Sequence, residues 1–230
     1  MKKLLGCFLC LMLLGFGVSG ASAYVYSDAG ATVEFTASGN NLLVTLTHED
    51  TNDVLYPIEV LTGVFFTVGS DPTLTPVSAT LASFSEVLFY SSQPANLGGE
   101  WAYLDGLSGA PGGADEGICS SGLGLFGDAN FNGPNLQGPN AVNGLQFGIT
   151  SAGDNPATGN TPVTGMYALI QEEVDFELSG LTVAGELPTI SNISFQYGTA
   201  LSVPEPATML LLGSGLIGLV GFRRKKFFKK

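Results

Sequence analysis

Between Leu4 and Phe222 the chain contains no lysine and no arginine. All eight basic residues of the 230-residue sequence lie at its two ends, whereas nineteen of the twenty acidic residues lie between Tyr24 and Ser202. This central part must therefore fold without ion pairs to lysine or arginine, and a buried carboxylate has to be held by backbone N–H groups, hydroxyls, water or a metal ion. Nucleic-acid binding is excluded, because neutralising phosphates requires lysine and arginine.

The central part has the sequence pattern of an all-β protein. Apolar and polar residues alternate in Thr32–Thr36 and Leu42–Thr47, and the turn residues Ser38–Asn41 between them predict a hairpin. Further strands are predicted at Val60–Val68, Val77–Ala82, Val87–Tyr90, Trp101–Leu104, Tyr167–Leu178 and Ile190–Tyr197. Many short strands with Gly, Asn, Ser and Pro turns favour an antiparallel β-sandwich of jelly-roll type.

A glycine-rich region interrupts this pattern. Gly98–Gly153 holds 15 of the 32 glycines. A loop region of that length inside a compact domain is either functional or poorly ordered. We expect long loops that extend from the sandwich, with short strands at Leu123–Phe126 and Leu145–Ile149.

The amino-terminal end is typical of a secretory signal peptide covering residues 1–23. Lys2 and Lys3 precede a short apolar run, and Ala21 and Ala23 form a small-x-small cleavage site. Cleavage there places the mature amino terminus at Tyr24 and leaves a secreted acidic domain of residues 24–202.

The carboxyl-terminal segment, residues 203–230, has three parts. The motif Val203-Pro204-Glu205-Pro206 comes first, followed by an apolar stretch over residues 207–222. Sixteen helical residues span about 24 Å, which is only slightly less than a bilayer core of about 30 Å. Because the apolar stretch is close to this length, we predict one transmembrane helix. A basic tail over residues 223–230 begins with Arg223, Arg224, Lys225 and Lys226. Such charges hold that end in the cytoplasm and leave the acidic domain outside.

These three parts together resemble the PEP-CTERM sorting signal. The same signal is also known as the ice-binding-protein C-terminal domain, a name that does not imply ice binding. The resemblance implies recognition by exosortase, a membrane transpeptidase-like protease, and delivery to the surface of Gram-negative bacteria that make exopolysaccharide. It implies sorting, and says little about what the acidic domain does.

One short motif suggests a calcium site. Asp128, Asn130 and Asn132 are followed by Gly133, as in the first half of a calcium-binding loop, where oxygen ligands alternate before a turn glycine. The twelfth position, where a bidentate glutamate is needed, is Pro139. Asn-Gly turn chemistry explains the same residues without a metal, and calcium is the one cofactor that the sequence suggests.

Three carboxylates alternate with apolar residues near the end of the domain. Glu173, Asp175 and Glu177 fall on one face of a predicted strand, about 6.5 to 7 Å apart. The simplest interpretation is a solvated strand face with the apolar partners in the core. The functional alternative is a cation-bridged contact with acidic polysaccharide. A glycosidase could also use paired carboxylates, but nothing in the sequence indicates which two would act.

Other candidate sites have less support. His48 and Cys119 are the only histidine and the only cysteine of the mature domain, so a nucleophilic pair would need both to meet by chance. Trp101, Tyr103 and Tyr90 could form an aromatic platform for sugars, although alternating aromatics more often fill a core. The domain has no G-x-S-x-G, P-loop or dinucleotide motif, and no basic residue to stabilise an oxyanion. We therefore expect no enzymatic activity.

Three hypotheses remain for the exported domain. The first is a structural or interaction protein of the cell surface and extracellular matrix, associated with exopolysaccharide. The second is a carbohydrate-binding module, with calcium as its candidate cation. The third is a secreted glycosidase. Calcium-dependent sugar binding separates the second hypothesis from the first, and release of reducing ends separates the third from both.

Overall fold

The computed structural model describes residues 22–70, 72–127, 129–136, 144–160, 163 and 167–201. The strands are β1 (Ala23–Asp28), β2 (Ala31–Ser38), β3 (Asn41–His48), β4 (Leu61–Val68), β5 (Thr75–Leu81), β6 (Glu86–Leu88), β7 (Ala102–Leu104), β8 (Glu116–Cys119), β9 (Ile149–Thr150), β10 (Leu169–Gln171), β11 (Glu173–Ser179) and β12 (Ile190–Tyr197). Single-turn 3-10 helices lie at Pro57–Glu59 and Pro111–Gly113. The predicted all-β class is confirmed.

The strands form two sheets. A five-stranded sheet has the order β1-β2-β3-β11-β5. In a seven-stranded sheet, β12 pairs along β4, and the remaining order is β6-β10-β9-β4-β8-β7. The inner faces of the two sheets share one core, in which the ring centroids of Phe35 from β2 and Phe66 from β4 lie 5.1 Å apart. This arrangement is compatible with a β-sandwich, and the jelly-roll connectivity stays a prediction.

The alternating segments fold as their patterns predict. β2 and β3 form the expected hairpin around Gly39 and Asn40, and each strand buries its apolar side chains on one face. β4, β5 and β12 also coincide with predicted strands, to within two residues at their ends. Alternation therefore identified the strands that supply the largest part of the core.

Four expectations about strands are corrected. Tyr167–Leu178 is not one strand, because β10 belongs to the seven-stranded sheet and β11 to the five-stranded sheet, with Glu172 at φ +84° in the corner between them. Leu123–Phe126 is a turn, in which Leu123 has φ +53°. Of Leu145–Ile149, only Ile149 enters a strand. The predicted antiparallel pairing holds for every strand pair in the described residues except β9 with β10, which is parallel.

The described glycine-rich residues pack against the rest of the domain. Phe131 is buried and lies 5.4 Å from Phe176, measured between ring centroids. Gly98 and Gly99 allow this loop to approach closely, since a Cβ atom at Gly99 would lie only 1.9 Å from the carbonyl oxygen of Pro134. The loop is thus tied to the core at the centre of the domain.

The predicted membrane segment lies outside the described residues. Within the described part of the chain, no helix is long and apolar enough to cross a membrane. The predicted transmembrane residues 207–222, the basic tail and the predicted cleavage residue Ala21 lie outside the described residues. Ala23, the other predicted cleavage residue, begins β1 and pairs with Thr36.

Candidate functional site

The outer surface of the five-stranded sheet is an acidic face, formed by Glu34 of β2 and by Glu173, Asp175 and Glu177 of β11. As predicted, the three β11 carboxylates point outwards and are partly exposed, while Val174, Phe176 and Leu178 are buried. Glu34 joins them because both Glu34 and Asp175 are paired with Thr45 of the strand between them.

Neighbouring strands hold these carboxylates by hydrogen bonds. The Thr45 hydroxyl donates to Asp175 at 2.7 Å, and the Thr47 hydroxyl donates to Glu173 at 2.8 Å. The Asn41 side-chain amide donates to Glu177 at 2.5 Å. Each β11 carboxylate is therefore anchored by a β3 side chain, without any basic partner: Thr45 and Thr47 lie directly opposite Asp175 and Glu173, and Asn41 reaches Glu177 diagonally from the position opposite Ser179.

The pKa of Glu173 is raised from its ordinary value. Partial burial is the largest cause, and the negative charges of Asp175, Glu172 and Glu34 raise the pKa further. The hydrogen bond from Thr47 acts in the opposite direction, because it favours the ionised form. The negative charges around Glu173 thus add to the effect of burial on its pKa.

Asn130 and Asn132, two of the predicted calcium residues, lie in the loop that packs beside β7. Asp128, the third, lies outside the described residues. The side-chain amide of Asn130 donates to the carbonyl oxygen of Gly99 at 2.8 Å, and that of Asn132 donates to the carbonyl oxygen of Pro76 at 3.4 Å. Among the described residues, no group of three or more His, Cys, Asp or Glu side chains could hold a metal ion. The calcium site stays a prediction, and both asparagines have a structural role in anchoring the loop.

The structure does not bring His48 and Cys119 together. Cys119 is fully buried beside Phe65 and Phe126, and burial raises the pKa of its thiol well above the ordinary value. His48 is buried elsewhere: its Nε2 atom lies 3.0 Å from the carbonyl oxygen of Glu59. Burial lowers the pKa of His48, so the neutral ring is favoured.

A pocket of about 240 Å³ lies beside His48, lined by Ala29, His48, Asp50, Asn52, Asp53, Val54, Ile58, Glu59 and Tyr197. Two of its carboxylates accept hydrogen bonds from their own loop: Asp50 from the backbone N–H of Asn52, and Glu59 from the backbone N–H groups of Leu55 and Tyr56. Asp50 and Glu59 therefore stabilise turns in this loop.

A second loop, residues 151–160, is bound to the pocket loop by a pair of carboxyl groups. Asp154 is buried and accepts the backbone N–H of Val54 at 3.0 Å. Asp53 accepts the Thr158 hydroxyl at 2.5 Å and the backbone N–H of Asn155 at 3.0 Å. Burial raises the pKa of Asp154, and the contact with Asp53 raises it further, whereas hydrogen bonds lower the pKa of Asp53. The pKa values of the two carboxyl groups thus shift in opposite directions, so that a proton taken up by the pair is held by Asp154 in preference to Asp53. Sequence reasoning missed this pair, since the two residues are 101 positions apart.

The aromatic residues considered as a sugar platform lie in or against the core. Trp101 is fully buried, with its ring centroid 4.9 Å from that of Phe176, and Tyr103 is buried as well. The partly buried Tyr90 packs on Phe147 and donates its hydroxyl to the carbonyl oxygen of Leu136. These aromatic residues therefore stabilise the fold.

Comparison with known proteins identifies the carboxyl-terminal end. Residues 202–225 match the PEP-CTERM protein-sorting motif, so the chain carries this sorting signal, as its residues predict. The motif indicates an exosortase-sorted extracellular protein that is exported as a membrane-anchored precursor. The match includes Val203–Pro206 and Arg223–Lys225, all outside the described residues. No curated protein and no solved structure matches the chain.

Proposed function

We propose that the exported domain is a non-catalytic structural or interaction protein of the extracellular matrix that contacts exopolysaccharide through its acidic face. The sorting motif supports the location, and the order of the acidic face supports the contact. Glu173, Asp175 and Glu177 stand on one strand with hydroxyl and amide groups fixing each of them. Acidic polymer and acidic domain repel each other, so divalent cations have to bridge the two.

Binding of the exported protein to the exopolysaccharide of the producing bacterium tests this proposal. We expect binding in calcium and its loss in chelator. Absence of binding in both conditions would overturn the contact with exopolysaccharide. Release of reducing ends would instead favour the glycosidase hypothesis, which places the function in a different class.

Neutralising the acidic face should abolish this binding. In the variant Glu173→Gln/Asp175→Asn/Glu177→Gln, the side chains keep their size and hydrogen-bond acceptors but lose the charge that attracts the cation. The matched control is Glu86→Gln/Asp105→Asn/Glu186→Gln, which removes the same charge from residues outside the five-stranded sheet. Equal loss of binding in both variants would mean that net charge, and not the acidic face, governs the contact.

A carbohydrate-binding module is the second candidate function. The observation in its favour is the pocket of about 240 Å³, which is lined in part by the exposed Ile58. Binding that survives chelator and is lost in Ile58→Asp, but not in the acidic-face variant, would favour this candidate over the acidic face.

The sorting motif also predicts processing of the chain. If exosortase cleaves near Pro204-Glu205-Pro206, the surface form should lack the whole basic tail. Mass spectrometry of protein released from the cell surface should therefore find no peptide from residues 223–230. Surface protein that still carries Lys230 would contradict this prediction.

A further inference from the structure

The first strand leaves one edge of the five-stranded sheet open. β1 (Ala23–Asp28) pairs only with β2 among the described strands, and five of its six residues are exposed. Tyr26 is the exception, because its ring packs on Phe195 at a centroid distance of 5.8 Å. β1 is thus held at its inner face and along one edge, while its other edge is free in the described structure.

The turn after β1 defines which backbone groups point outwards. Asp28 and Ala31 flank a two-residue turn, Ala29–Gly30, with φ of +49° and +82°. In such a turn the two flanking residues form a hydrogen-bonded pair. Hydrogen-bonded and non-hydrogen-bonded residue pairs then alternate along the antiparallel ladder. The N–H and C=O groups of Asp28, Tyr26 and Tyr24 therefore face β2. Those of Ser27 and Val25 face outwards.

Each of the other sheet edges is covered or bent. Along β5, Leu97 donates its N–H to the carbonyl oxygen of Ala79, and along β7, Tyr103 donates to that of Ala129. The Gln93 side chain bonds both the N–H and the C=O of one β6 residue. β12 carries two register shifts, which bend its edge. Natural proteins use such devices to prevent strand addition, and β1 has none of them: no proline, no bulge and no covering loop in the described residues.

We propose that β1 is a homotypic interface, at which a second copy of this chain adds its own β1 antiparallel about a two-fold axis. The outward N–H and C=O groups of Val25 then pair with those of Ser27 in the other copy. An isologous contact of this kind is self-complementary, because the same two residues supply donors and acceptors on both sides. Each five-stranded sheet continues into the next as a ten-stranded sheet.

The distribution of charge favours a second copy at this edge. β1 carries one acidic residue, Asp28, and in this register Asp28 lies opposite Tyr24 of the second copy. Cleavage of the predicted leader after Ala23 would give Tyr24 an α-ammonium group, a positive charge in a domain that has no lysine or arginine. The two β11 strands lie seven strand spacings apart, about 34 Å, so the acidic faces are separated by several times the Debye length of about 8 Å at physiological salt.

Sedimentation velocity of the exported protein tests this interface. We expect a species of twice the monomer mass whose fraction rises with salt, because the Debye length falls from about 30 Å at 0.01 M to about 3 Å at 1 M and repulsion between the acidic domains is screened. Val25→Pro removes an outward N–H group without removing a bond to β2, so it should leave monomer only. The matched control, Val25→Thr, keeps that group and the strand propensity and should still form the dimer.

Circular dichroism of both variants separates loss of the interface from loss of the fold, since a folded but monomeric Val25→Pro protein is the expected result. A wild-type protein that is monomeric at all salt concentrations would overturn the proposal. A dimer that persists in folded Val25→Pro would also overturn it, by placing the interface elsewhere. If Val25→Pro unfolds, Ser27→Pro replaces it, because it removes the other outward N–H group, and an undiminished dimer of folded Ser27→Pro would refute pairing through β1.

Discussion

Replacing Phe176 with alanine is expected to lower the free energy of unfolding by about 3 to 5 kcal/mol, the cost of truncating a large aromatic side chain in a core. Phe176 is almost fully buried, and its ring contacts Trp101 at 4.9 Å and Phe131 at 5.4 Å between centroids. The substitution therefore removes contacts with two loop residues as well as the burial of β11. Denaturant unfolding monitored by tryptophan fluorescence measures the loss directly, because Trp101 is the only tryptophan.

Phe84 offers the matched control. Its side chain is 99% exposed, and its φ of +77° is unusual for an aromatic residue. Phe84→Ala should change the unfolding free energy by less than about 0.5 kcal/mol, as surface substitutions usually do. A similar small loss for Phe176→Ala would mean that the glycine-rich loop does not pack on β11.

The alternation of apolar and polar residues predicted the strands that have one buried face. It failed where pairing with distant parts of the chain decides the backbone conformation. β8 (Glu116–Cys119) was missed because all four of its residues are buried, so it shows no alternation. β1 was missed because it is mostly exposed and lies next to the leader. The corner at Glu172 was missed because Gln171, Glu172 and Glu173 form a polar run inside an apparently continuous strand.

The acidic face was predicted only in part, for a related reason. The three β11 carboxylates follow from alternation along one strand. The addition of Glu34, and the hydroxyl groups that hold the carboxylates, depend on β3 pairing with a strand about 130 residues later in the chain. That register is a property of the whole fold, and no local pattern in the sequence contains it.

The absence of basic residues did correctly predict how buried carboxyl groups are held. Glu100 is buried and accepts the backbone N–H of Leu136 at 2.8 Å. Asp154 is buried and accepts the backbone N–H of Val54. In both cases a backbone N–H group holds the carboxyl group, and no counter-ion is needed. At Asp154 the raised pKa also favours the neutral form of the carboxyl group.

We therefore expect two substitutions of Asp154 to change the free energy of unfolding in opposite directions. Asp154→Ala leaves the buried N–H of Val54 without an acceptor and should lower the unfolding free energy by about 1 to 3 kcal/mol. Asp154→Asn resembles the protonated acid: it keeps the acceptor for Val54 and offers an N–H to Asp53. We expect Asp154→Asn to be more stable than the wild type at neutral pH, where the wild-type carboxyl group is ionised or must take up a proton.

The dependence on pH is the stronger test of this pair. Because the folded pKa of Asp154 lies above the unfolded value, the folded state binds more protons between the two values. The stabilising contribution of Asp154 is complete below the ordinary carboxyl pKa of about 3.9 and is lost as pH rises through the folded pKa. The advantage of Asp154→Asn should thus shrink as the solution is acidified, measured as the difference in unfolding free energy at each pH. A difference for Asp154→Asn that is constant with pH would mean that the pKa of Asp154 is the same in the folded and unfolded states, and would contradict this prediction.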